Sequence, residues 1–231
     1  MKGKVNFVSL GDSIATGTVT PFLSICSYVT YLQKKFREKG YKTDTYNLAC
    51  DGDTTNDLLW KVSNLHRFRK IIEKANFITV SIGGNDLLKA ASIPGFTSIN
   101  IQKANYGIKS FMNNWPQIID KIRSMNKEAE IVVLNIYNPY NNSQYLGRKY
   151  YYDRNLCELT DKLLIQINNS IEAYSEKNYI IADIYSEFKC FSKGDMYRVS
   201  CLYQDSLLRN PHPTPNAQRI ITDIVFEKFH T

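Results

Sequence analysis

Five short apolar runs alternate with longer stretches of helical periodicity, and this alternation leaves the chain few architectures to adopt. The runs are residues 5–10 (VNFVSL), 43–48 (TDTYNL), 77–82 (FITVSI), 131–136 (IVVLNI) and 179–184 (YIIADI). Each is too short for a helix and rich in β-branched or aromatic residues, so each reads as a strand. FITVSI and IVVLNI are almost continuously apolar, as expected of strands buried on both faces.

The intervening stretches carry apolar residues at helical spacing. Phe22, Ile25, Cys26, Val29, Leu32 and Phe36 predict a helix that stops at Gly40. Thr54 or Thr55 is placed to cap a helix through Leu58, Leu59 and Val62. Residues 90–104 read as irregular, followed by a helix through Ile108, Phe111, Trp115, Ile118 and Ile122 that Pro116 should kink or restart. Residues 154–177 predict a long helix, and Thr214-Pro215 opens the last one, with Ala217, Ile221 and Val225 turned inward. Strands separated by helices make βα units, hence a parallel sheet covered on both faces. The expectation is a three-layer α/β/α sandwich on a five-stranded sheet, in one domain over residues 1–231. Two connections, residues 137–153 (dense in Tyr and Asn) and 185–213, are long enough to serve as lids or pocket walls.

Charge and cysteine usage narrow the function. The formal net charge is +7, but the dense basic runs at 34–39 and 66–70 read as solvated helix faces. No basic motif interleaved with aromatics accompanies them, which argues against nucleic acid as a partner. Five cysteines, an odd count without a C-x-x-C pair, point to free thiols in a reducing compartment. No apolar run approaches the roughly 18 residues of a membrane span, and MKGK leads into the first strand without a signal-peptide pattern. A cytoplasmic protein without an integral membrane segment is expected.

In open α/β sheets ligands bind outside the carboxyl ends of the strands. Ser13 follows the first strand there, Gly52 the second, Asn85 the third, and His212 precedes the last helix. His66, in a basic helical stretch, and His230, beside the end of the sequence, are expected at the surface. Gly11-Asp12-Ser13, Asn47 with Gly52-Asp53-Thr54-Thr55, Gly83-Gly84-Asn85-Asp86 and His212-Pro213 resemble, in order, the four blocks of the GDSL or SGNH hydrolase family. The resemblance implies a flavodoxin-like sheet of strand order 2-1-3-4-5 and a serine esterase or lipase working through an acyl-enzyme.

On that resemblance Ser13 is the nucleophile and His212 the general base, while the Ser13 N–H, the Gly52 N–H and the Asn85 amide form the oxyanion hole. Ester cleavage needs these parts: an activated hydroxyl, a proton acceptor and donors aimed at the developing oxyanion. The family's aspartate three residues before the histidine is replaced by Arg209. Three readings stay open: Asp205 reaches back to His212, a backbone carbonyl supports a Ser-His dyad, or activity is low. Asp12 reads as a turn-stabilising side chain, and Asp53 and Asp86 as helix-start residues. One active-site histidine and no H-E-x-x-H offer too few ligands for a metal, and no cofactor is expected. The expected partner is a small-molecule or lipid acyl ester. The alternative is a non-catalytic domain of the same fold that binds acylated or carbohydrate ligands.

Overall fold

The computed structural model describes residues 2–20, 23–24, 26–91, 98–139, 154–176, 178–191 and 211–230. Along the chain run β1 (Lys4–Gly11), α1 (Ser13–Thr16), β2 (Thr18–Thr20), β3 (Leu23–Ser24), α2 (Tyr28–Glu38) and β4 (Lys42–Asn47). Then follow α3 (Thr55–Asn64), α4 (His66–Ile72), β5 (Phe77–Ser81), α5 (Gly84–Leu88), α6 (Ile101–Met125) and β6 (Glu130–Leu134). The remaining elements are α7 (Arg154–Ala173), β7 (Ile180–Ala182), α8 (Ile184–Phe191) and α9 (Pro215–Glu227). The main sheet has the order β4-β1-β5-β6-β7, with every pairing parallel. Counting only the five predicted strands, this is the 2-1-3-4-5 order.

Alternation along each central strand builds the three layers, because successive side chains point to opposite faces. Val8 and Leu10 of β1, Ile78 and Val80 of β5, and Ile131 and Val133 of β6 pack on α3, α4, α6 and α7. Val5, Phe7, Phe77, Val132 and Leu134 face the other way, onto α2, α8 and α9. All five residues of β5 are buried, Thr79 and Ser81 among them, which explains its almost continuously apolar sequence. On one face Trp115 stacks on Phe111, with ring centroids 5.5 Å apart, and its indole N–H donates to Tyr179 Oη at 2.8 Å. A buried tryptophan thereby finds a partner for its one polar atom.

Four local expectations are corrected. The helix predicted from Phe22 starts at Tyr28, after an extended Ser27, and β2 and β3 form a small antiparallel pair ahead of it. Residues 101–104, read as irregular, are the first turn of α6, with Asn100 accepting from Lys103 N at 3.0 Å as its cap. Pro116 neither interrupts nor restarts that helix. The buried face of Phe111, Trp115, Ile118, Ile119 and Ile122 runs straight past it, and such packing outweighs the ~3 kcal/mol a helical proline costs. Residues 185–191, expected within a long connection, form α8 together with Ile184, expected in the fifth strand; Ile184 and Phe188 are buried. His66 and His230 are exposed, as expected. Among the described residues no helix is long and apolar enough to cross a membrane.

Candidate active site

The first strand-to-helix turn depends on a glycine. Gly11 has φ +145°, and a Cβ there would stand 2.1 Å from the Ser81 carbonyl oxygen. Only glycine lets β1 run this close to β5. The pairing continues one residue further, with Asp12 N donating to Ser81 O at 3.1 Å. Asp12 then caps α1, its Oδ1 accepting from Ile14 N at 3.0 Å. Ser13 is therefore the first residue of a helical turn at the carboxyl end of a central strand. Its N–H has no acceptor within the turn, as at any helix start. The side chain is buried but reaches a pocket.

The loop after β4 is stitched to β1 by Leu48 N to Ser9 O at 2.8 Å and Cys50 N to Gly11 O at 3.0 Å. Gly52 lies at its tip with φ +77° and is exposed. Thr54, the cap of α3, donates through its N–H and its hydroxyl to Asp57 Oδ2 at 2.9 and 2.6 Å. After β5, Gly83 takes φ +115°, and a Cβ there would lie 2.6 Å from Phe111 Cε2 and 2.9 Å from Ile136 Cδ1. This turn aims Asn85 back across the sheet, where its Nδ2 donates to Asp53 O at 2.9 Å. A side-chain amide carries two N–H groups, so the second remains for a ligand. Asp86 fastens the same two loops, accepting from Thr55 N at 3.0 Å and Thr55 Oγ1 at 2.6 Å.

The His212 segment is held on both sides. Before it, Tyr137 Oη donates to Pro211 O at 2.6 Å from the end of β6. After it, Thr214 caps α9 by accepting from Ala217 N at 3.0 Å. Gln218, one turn into α9 and almost wholly buried, accepts from Tyr28 N at 2.8 Å and donates to Ile14 O at 3.1 Å.

Ser13, Asn85 and His212 meet in the wall of one pocket of about 100 Å³. The rest of that wall is largely aliphatic, with Leu87 and Leu88 of α5, Ile136 beyond β6, and Leu163 and Leu164 of α7. Gly52 is not among its described wall residues. Asp205, Arg209 and Asn210 lie outside the described residues, as do tyrosines 140, 145, 150, 151 and 152. Tyr137 does line the pocket.

Asp12 also lines the pocket, and burial pushes its carboxyl up to about 7, with Asp86, Asp53 and Asp51 adding to the shift. The bond from Ile14 N opposes this without cancelling it. Burial likewise raises the Asp86 carboxyl against its two bonds from Thr55, and the Asp53 carboxyl against Lys61, whose ammonium stands 2.5 Å away. Asp12 is the turn-stabilising residue expected, but its burial beside the serine and its shift were not legible. Gln218 and the Tyr137–Pro211 contact were missed altogether. A glutamine on the apolar face of the last helix, beside Ala217 and Ile221, was the available signal.

A parallel sheet with a serine, an amide and a histidine gathered at its carboxyl edge defines the α/β/α hydrolase class. The model of the GDSL-like Lipase/Acylhydrolase family matches residues 9–220, and the chain belongs to that family. It is 30% identical over 141 residues to the uncharacterized protein YpmR of Bacillus subtilis (strain 168). That match covers 60% of this chain and 54% of YpmR, so the chain spans about half the length of the curated relative it matches. Among solved structures, the lipase Lip_vut3 from a goat rumen metagenome superposes with a TM-score of 0.73 at 20% identity, covering 96% of each chain. An extracellular lipase from Streptomyces rimosus gives 0.71 at 17% identity, covering 96% of this chain and 99% of that one. An acetyl xylan esterase variant from Geobacillus stearothermophilus gives 0.63 at 14%, covering 96% and 93%. At these identities the likeness is one of fold.

Proposed function

We propose that this chain is a serine hydrolase that cleaves carboxylic esters through an acyl-enzyme. The observation that carries the reading is the shared pocket, whose wall holds Ser13, Asn85 and His212 among aliphatic side chains. Ser13 Oγ attacks the acyl carbonyl while His212 takes its proton, and a bond forms between Oγ and the carbonyl carbon. The N–H of Ser13, the N–H of Gly52 and the second N–H of Asn85 receive the oxyanion. The tetrahedral species collapses as the bond to the alcohol oxygen breaks and His212 returns the proton to it. Water then repeats the sequence, His212 accepting its proton, and releases the acid from Ser13.

Several local features support these roles. The Ser13 N–H is unsatisfied by the helix it begins, and Asn85 is oriented by Asp53 O without using its whole donor capacity. The aliphatic wall suits the acyl portion, by the burial of apolar surface. Nothing in the scheme calls for a metal or cofactor.

The test is hydrolysis of p-nitrophenyl esters from acetate to palmitate by wild type, Ser13→Ala and His212→Ala. Wild-type turnover with both variants slower by several orders of magnitude is expected. Asn85→Ala, which removes one oxyanion donor, should slow turnover on the order of 10²–10³-fold. An inert wild type, or a Ser13→Ala variant that matches it, overturns the proposal in favour of a binding domain.

A further inference from the structure

One buried side chain joins the segment that carries the base to the turn that carries the nucleophile. Gln218 is on α9, six positions after His212 and four after the capping Thr214. Its Oε1 accepts from Tyr28 N, and its Nε2 donates to Ile14 O, the carbonyl next to Ser13 in the chain. Both partners are helix-end groups of the kind a helix cannot satisfy by itself. Tyr28 is the first residue of α2, whose Ser27 cap supplies no side-chain bond, and Ile14 lies in the four-residue α1.

The surroundings make this a rigid joint. Thr222, one turn further along α9, donates to Gln218 O at 2.8 Å, with Tyr28 O a second, longer acceptor at 3.3 Å. The Tyr28 hydroxyl lies 3.1 Å from both Ser9 Oγ and Thr79 Oγ1, on the two central strands beneath the pocket. Gln218 and Thr222 are both buried, so water does not compete for these bonds. A chain of buried hydrogen bonds therefore runs from α9 through α2 to β1 and β5, with its side branch ending on the nucleophile turn.

We infer that Gln218 is a positioning residue that fixes the separation and orientation of His212 relative to Ser13. This rests on the serine-hydrolase reading above and goes beyond it, because a serine and a histidine on elements about 200 positions apart need a common reference. Without the amide, the direct hydrogen bond from α9 to the Ser13 turn is lost, and apolar packing, which is non-directional, does not replace it. Turnover should suffer more than substrate binding, since misplacement by an ångström can cost on the order of 10²-fold in rate.

The experiment compares wild type, Gln218→Met and Gln218→Glu on the ester that the chain-length series shows to be best. It is run well below each unfolding temperature, with folding checked by circular dichroism. Gln218→Met keeps the volume and removes both bonds; its kcat should fall at least tenfold with KM within twofold. Gln218→Glu keeps the acceptor for Tyr28 N but, when ionised, has no donor for Ile14 O. Protonation restores an O–H donor, so its kcat relative to wild type should rise as pH falls from 8 to 5.5. A purely structural role would lower thermal stability and leave both readouts unmoved. A folded Gln218→Met with wild-type kcat, or a Gln218→Glu ratio flat with pH, overturns the inference. A wild type inert on every ester overturns the hydrolase reading and the joint with it.

Discussion

Replacing Asp12 with asparagine should change the pH dependence of stability more than any other single substitution at the site. The amide keeps a side-chain oxygen for Ile14 N, so the cap of α1 survives and the ionisable group is removed. In the folded protein burial holds the Asp12 carboxyl at about 7, against an unfolded value near 3.9. Between these values the folded chain keeps a proton that the unfolded chain has released. The unfolded state then binds fewer protons, so stability falls as pH rises through this window. Stability associated with Asp12 is fully present below about pH 4, is lost progressively up to about pH 7, and changes little above it. A separation of about three pKa units, at about 1.4 kcal/mol each, makes the whole effect on the order of 4 kcal/mol.

Urea unfolding at pH 4 to 8, followed by the fluorescence of the buried Trp115, measures it. Glu130, also raised by burial, slopes the same way in both proteins and cancels in the difference, whereas Asp86 and Asp53, raised as well but coupled to Asp12, cancel only in part. Asp57 and Asp183 are partly buried, but bonds from Thr54 to the first and from Asn135 and Ser186 to the second hold them below the ordinary value. Their contribution falls away only under about pH 4. The stability difference in favour of Asp12→Asn should grow by several kcal/mol from pH 4 to pH 8, which is on the order of 10 °C in Tm for a chain of this size. Parallel pH profiles for the two proteins, or a difference that shrinks as pH rises, would refute the reasoning.

Gly83→Ala should lose several kcal/mol in urea unfolding, because the new methyl must enter the space of Phe111 and Ile136 at a φ of +115°. Asn85 moves with that turn, so the surviving folded protein should also turn over ester more slowly. Asp205→Asn should lower kcat at least 10²-fold if Asp205 is the acid that orients His212 and stabilises its protonated form. An unchanged rate in the same assay removes Asp205 from that role.

The central fold was legible because its signals are local. Strands of β-branched and aromatic residues, separated by stretches of 3.6-residue period, can be read one at a time, and the five strands and the major helices fall where those periods put them. The first turn of α6 was not legible because the buried face at this end of the helix is made of small residues. Ala104 and Gly107 carry no apolar bulk to register as a stripe, yet a Cβ on Gly107 would lie 2.1 Å from Asp86 O. The start of α2 was misplaced for the opposite reason, since Phe22 and Ile25 match a helical period by residue type while Leu23–Ser24 is a strand.

At the site, strand-end placement and the resemblance to the family's ordered blocks nominated Ser13, Gly52, Asn85 and His212, and three of these line one pocket. Each follows or precedes a recognisable element at the sheet's carboxyl edge, and chemistry restricts what such residues do there. What holds them in register came only from the tertiary structure. Asn85 on Asp53 O, Asp86 on Thr55 and Gln218 on Tyr28 and Ile14 link positions from about 30 to about 200 residues apart. The unusual ionisation of Asp12 likewise arises from burial and from carboxylates on two other segments, Asp51 and Asp53 after β4 and Asp86 in α5. Local periodicity records which face of an element is buried. It does not record which polar atom of a distant element will arrive there, and that atom decides whether a buried amide or carboxyl is satisfied, charged or neutral.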